Sequence, residues 1–191
     1  ASMCVARTVY ARDLAYAYMV INLVLAWIPF ILSMAIGPLM KKKQGIAAGV
    51  IGFLWLLFYP NTFYMVTDFI HLTPRSYVPI FYDAIMLILF ALVGVLLGFF
   101  SLANVERSIK RHAGSGMLLG GVFFLSSIGI YMGRFLRWNS WDLLIDPVGV
   151  VWHSMQAMLT AQAFVFIVAT TAMTAYLYWL LRPALLRIVD R

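Results

Sequence analysis

Residues 45–72 read GIAAGVIGFLWLLFYPNTFYMVTDFIHL. Residues 45–59 carry no charge and read as a helix suited to hydrocarbon. The last part, PNTFYMVTDFIHL (60–72), then places a proline, an asparagine, an aspartate and a histidine at the end of that helix. With a rise of about 1.5 Å per residue counted from Gln44, Asn61 lies about 25 Å along and Asp68 about 36 Å. The hydrocarbon core of a bilayer is about 30 Å thick. Asn61 and Tyr64 therefore fall within one leaflet, and Asp68 and His71 at its head-group edge. The four are spaced by three, four and three residues, so at helical period they form one stripe. A polar stripe facing lipid is costly, so it is expected to face protein or water. Pro60 lacks a backbone donor and crowds the carbonyl of Leu56, which predicts a kink or break at the base of the stripe.

The rest of the chain is of the same kind. Of 191 residues, 64% are hydrophobic and 11% charged, about half the charged fraction of a soluble domain. Five segments are long and apolar enough to cross a membrane: residues 14–40, 44–67, 84–105, 113–133 and 154–181. The connections between them are too short to fold alone. The expectation is a single all-α integral membrane domain over residues 1–191, a bundle of five transmembrane helices. Residues 1–13 show no signal-peptide pattern. The start at Ala1 reads as a trimmed end that leaves room for one more helix upstream. A single cysteine, Cys4, excludes an intrachain disulfide.

The placement of charge gives an orientation. Lys41, Lys42, Lys43, Arg107, Lys110, Arg111, Arg182, Arg187 and Arg191 follow the first, third and fifth spans. The alternate connections hold Arg7, Arg12, Arg75, Arg134 and Arg137. Short loops rich in Lys and Arg stay in the cytoplasm, so nine against five places the C-terminus inside and the N-terminus outside. The cationic loops are read as topology signals that also attract anionic lipid, not as a nucleic-acid surface.

Two further segments reach the level of Asp68. Counted back from Glu106, Asp83 lies about 35 Å from the inner edge; counted from His112, Arg134 lies about 33 Å out. Arg137 is one turn further, and Asn139, Ser140 and Asp142 begin an outer loop. Asp68, His71, Asp83, Arg134 and Arg137 thus converge on one outer plane from three helices. Interfacial anchoring is the plainer alternative, since arginines at helix ends snorkel and Trp138, Trp141 and Trp152 suit an aromatic belt. His153 begins the fifth span and approaches the cluster, whereas His112 belongs to the basic loop. Gly129 and Gly133, four apart, permit close helix packing.

The motifs PNTFYMVTDFIHL, FYDAIMLILFALVGVLLGFFSL (81–102) and GIYMGRFLRWNSWDLL (129–144), with INLVLAWIPF (21–30), resemble a bacterial membrane-protein family catalogued as domain of unknown function 1361. The likeness covers roughly residues 14–148. The arginine-tryptophan motif is quite specific. Where the family pattern reads Pro-Asn-x-Pro-Tyr, Phe63 replaces the second proline. The resemblance implies a multi-pass protein of the bacterial cytoplasmic membrane and supplies no activity.

Three functions fit these residues. The first is binding or transport of a polar or anionic group such as a lipid head group, with the site drawn from Asn61, Tyr64, Asp68, His71, Asp83, Arg134, Arg137, Asn139 and Asp142. Guanidinium forks suit phosphate and carboxylate. The second is a membrane-embedded metal-dependent hydrolase, with Asp68, His71, Asp83 and His153 as ligands. The third is a structural subunit of a larger membrane complex. Membrane lipids and other membrane proteins are the expected partners, and the residues name no cofactor.

Overall fold

A computed structural model describes residues 1–14, 16–73, 78–109, 115–139 and 141–189. Arg75, Ser140, Arg191 and the basic loop with Lys110, Arg111 and His112 lie outside the described residues. The protein is an all-α membrane protein with five helices long and apolar enough to cross a bilayer. Such segments become helices because hydrocarbon offers no partner to an exposed backbone N–H or C=O.

A short helix α1 (Ser2–Ala11) precedes the first span, α2 (Tyr18–Lys41). The second span, Gly45–His71, is broken. It consists of α3 (Gly45–Phe58), a single turn α4 (Asn61–Tyr64) and a 3₁₀ stretch, Met65–His71. The third span is α5 (Ile80–Ile109). The fourth joins α6 (Ser115–Tyr131) to a π-helical turn, Met132–Leu136. Two short helices, α7 (Asp142–Ile145) and α8 (Pro147–Met158), lead to the last span, α9 (Ala161–Val189). The five expected spans are present, with one substantial shift of boundary. Residues 154–158 belong to α8, and the fifth span starts at Ala161, where the Thr160 hydroxyl accepts the Ala163 N–H at 3.2 Å and caps the new helix.

The third span is the hub. It has the highest mean hydropathy of the five, 2.8, and more than half of its apolar window is buried, against 17% for α9. A column of aromatic rings ties the spans together around it. Trp55, Tyr59, Phe63, Phe99, Tyr178 and Phe123 follow one another with centroids 4.9–5.7 Å apart. Such contacts add about 0.5–1.5 kcal/mol per pair beyond their burial. At the end of the bundle where α5 and α9 finish, Glu106 is fully buried. It accepts the Tyr178 hydroxyl at 2.7 Å and the Arg182 guanidinium.

The expected break at Pro60 is present, and its consequences are local. The Phe58 carbonyl accepts the Asn61 side-chain amide at 3.0 Å, and the Tyr59 carbonyl accepts the Thr62 hydroxyl at 2.8 Å. The Asn61 amide thus takes up the Phe58 carbonyl, while the Tyr59 carbonyl keeps a backbone donor as well, the Thr62 N–H at 3.1 Å. The broken segment sits between two pairs of glycines. A Cβ at Gly98 on α5 would stand 2.5 Å from the Thr62 hydroxyl, and one at Gly94 would meet Met65. On the fourth span, a Cβ at Gly129 would stand 2.6 Å from Pro60 Cγ and one at Gly133 2.9 Å from the Tyr64 ring. Glycine at these four places lets the kinked backbone lie close against both neighbours.

Candidate functional site

After Tyr64 the second span tightens from α to 3₁₀. With three residues per turn, side chains at i and i+3 eclipse. The single stripe expected for Asn61, Tyr64, Asp68 and His71 therefore divides. Asp68 and His71 form one column, and Tyr64 and Thr67 lie beside it. Arg134 enters between them from the π turn of the fourth span, a kind of helical irregularity frequent at functional sites.

Each nitrogen of the Arg134 guanidinium is engaged. Nη2 donates to Asp68 Oδ1 at 2.5 Å, Nε to the Thr67 hydroxyl at 2.7 Å, and Nη1 contacts His71 Nε2 at 3.1 Å. Guanidinium has no acceptor, so a hydrogen bond at this contact would use His71 Nε2 as its acceptor. The guanidinium carbon lies 4.6 Å from the centre of the Tyr64 ring, within cation–π range. The Tyr64 hydroxyl in turn donates to the Gly133 carbonyl at 3.2 Å. Asp68 is 1% exposed, and its second oxygen accepts the Asn22 amide of α2 at 3.4 Å.

Asp68, His71 and Arg134 are thus brought together, while Asp83 is not. Asp83 is buried in a bidentate pair with Arg7, Nε to Oδ1 at 2.8 Å and Nη2 to Oδ2 at 3.3 Å. The reason is α1, which folds back on the start of α5 and is held there by the Tyr82 hydroxyl on the Met3 carbonyl, 2.9 Å. Burial works against the Arg7 charge, but the hydrogen bond and charge of Asp83 prevail and raise its pKa. Cys4 is buried on the same helix, and burial pushes its thiol up.

Beside the Arg134 network lies a cavity of about 970 Å³ between α2, the second span and the fourth. Asn61, Tyr64, His71, Arg134, Arg137 and Asn139 line its polar end. Leu25, Phe53, Leu56, Leu57, Leu125 and Ile128 line an apolar wall. Phe53 and Leu125 are about half exposed, at 55% and 48%, so this wall opens sideways to the surroundings of the bundle. Arg137 ends the π turn in the left-handed conformation, φ 59°. Its side chain makes no ion pair or hydrogen bond with the described residues.

Asp142 begins α7 and is not among the residues of the cavity wall. Its Oδ2 accepts the backbone N–H of Asn139 at 2.6 Å and the Asn139 amide at 3.3 Å, closing the turn into α7. His153 is exposed and stacks on Trp138, ring centroids 6.4 Å apart. Among the described residues no three His, Cys, Asp or Glu side chains gather closely enough to hold a metal ion. Asp68, His71, Asp83 and His153 are not brought together: Asp83 pairs with Arg7, and His153 stacks on Trp138.

Sequence reasoning passed over Asn22 and Tyr18, which line the polar end, and Thr67, which accepts from Arg134. Thr67 was discoverable, since it stands three residues from Tyr64. Asn22 is the one amide inside the apolar first span, and a polar residue there signals a partner.

These features define a five-span membrane protein with a charged network beside an amphipathic cavity. More particularly, the chain belongs to the family described as protein of unknown function (DUF1361), whose model matches residues 21–177. No curated protein and no solved structure matches it.

Proposed function

We propose that this protein binds, or carries between leaflets, a molecule with an anionic head group such as a membrane lipid. The observation that carries this reading is the Arg137 guanidinium, which lines the polar end of a 970 Å³ cavity and has no protein partner among the described residues. Small-molecule sites of about 300–1,000 Å³ with a few convergent polar groups are typical in size and make-up. Arg134, by contrast, is matched by Asp68 and serves to position the site. The charge bias of the loops further supports a bacterial cytoplasmic membrane with the polar end on the outer side.

The test is ligand-dependent stability in detergent. A ligand at a hundredfold excess over its Kd stabilises by about 2.7 kcal/mol, which is roughly 5–10 °C for a chain of this size. Added anionic lipid should raise the Tm of the wild type by that order and leave Arg137→Gln almost unmoved. Equal shifts in both would reject the site.

A further inference from the structure

We propose that the ligand is a singly charged anionic amphiphile, with a carboxylate or phosphodiester head at Arg137 and its chain along the apolar wall. This rests on the binding reading above and adds the charge class of the ligand. Two cations line the cavity, Arg134 and Arg137, and no carboxylate among the described residues does. Asp68 stands behind the wall and neutralises Arg134 at 2.5 Å. One positive charge is left over. A head group seated on Arg137 takes that charge out of water, and burial of an unmatched charge is costly, so a ligand bringing one negative charge fits best. A phosphomonoester with two charges would leave one uncompensated. A zwitterionic head would bring a cation, and no lining carboxylate receives it. The amphiphile follows from the walls: the polar residues occupy one end only, and Phe53, Leu56, Leu125 and Ile128 continue from it toward the lateral opening. A small free anion would leave that wall unused.

The experiment is native mass spectrometry of the whole chain in an equimolar mixture of phosphatidylglycerol, phosphatidylcholine and phosphatidic acid. It is run near pH 8.5, where the phosphomonoester carries two charges. Phosphatidylglycerol should be retained at least about fivefold over each of the others, a discrimination of about 1 kcal/mol. Arg137→Gln should bring the three within about twofold, and Arg137→Lys should keep the order. Arg137 is exposed in a loop, so both variants should fold. Millimolar glycerol 3-phosphate should not displace the lipid, and Ile128→Trp, which fills the wall, should weaken retention. Better retention of phosphatidic acid or phosphatidylcholine, still dependent on Arg137, would overturn the charge assignment while the binding site itself stood. Full displacement by glycerol 3-phosphate would overturn the amphiphile. Loss of any dependence on Arg137 would overturn both this inference and the function it rests on.

Discussion

Arg134 directs all three of its nitrogens to protein groups, whereas Arg137, three residues on, directs none to the described residues. That difference separates an internal lock from a group left for a ligand. The lock is testable by itself. Asp68 and the Arg134 side chain are 1% and 9% exposed, so removing either partner strands a buried charge. Breaking a buried pair from one side costs about 3–5 kcal/mol, against about 1 kcal/mol or less for an exposed one. Asp68→Asn and Arg134→Gln should each lower the thermal midpoint in detergent strongly, and the double variant should lose less than the two together. Strictly additive losses would show that the two charges are not coupled. Arg7→Gln should behave like a separate lock on Asp83, adding to the Asp68 effect, since the two pairs share no side chain.

At the scale of elements, the second span does more than cross the membrane. Pro60 breaks it, the Asn61 amide bonds the Phe58 carbonyl, and the 3₁₀ stretch turns Thr67 toward Arg134. This backbone lies close to its neighbours only because glycines face it. Gly129 opposes the rigid Pro60 ring, so a methyl group there cannot be accommodated by a rotamer change. Gly129→Ala should destabilise by about 1–3 kcal/mol, the usual cost of overpacking. Gly120, on the same helix, is the control, since a methyl group added there would meet nothing within 4 Å. Gly120→Ala should be neutral or stabilising by up to about 1 kcal/mol. Equal midpoints for both alanine variants would contradict the close packing at Pro60. The short helix α8 has its own signature: Val148, Val151, Trp152 and Met155 are exposed. At twelve residues it is too short to span, and its apolar face suits the membrane interface.

For the whole molecule, the ends of the bundle differ in chemistry. One holds the Asp68–Arg134 network and the cavity, the other the buried Glu106 with Arg182. The orientation proposed from loop charge, with the cavity on the outer side, is open to a direct check. In a Cys4→Ser background, Asn139→Cys should react with a membrane-impermeant thiol reagent added to intact cells. Lys42→Cys should react only after permeabilisation. Both positions are exposed. The reverse pattern would place the cavity on the cytoplasmic side.

The amino-acid sequence by itself determined the five spans, the break at Pro60 and the shared depth of Asp68 and Arg134. Hydrocarbon allows a single-chain segment of this length one backbone solution, and a fixed rise per residue turns sequence number into depth. Depth does not supply azimuth. Asp83 lies at the right level, yet Arg7 claims it, because α1 folds against α5 and carries a cation to that side of the helix. Glu106 and Arg182 stand at the ends of their spans in the sequence, read there as an edge marker and a topology cation; packing of α5 on α9 makes them a pair. The 3₁₀ and π turns, which decide that Arg134 is enclosed and Arg137 is left facing the cavity, depend on how a kinked backbone fits between glycines of two other helices. That fit is a property of packing in three dimensions, and no local run of residues contains it.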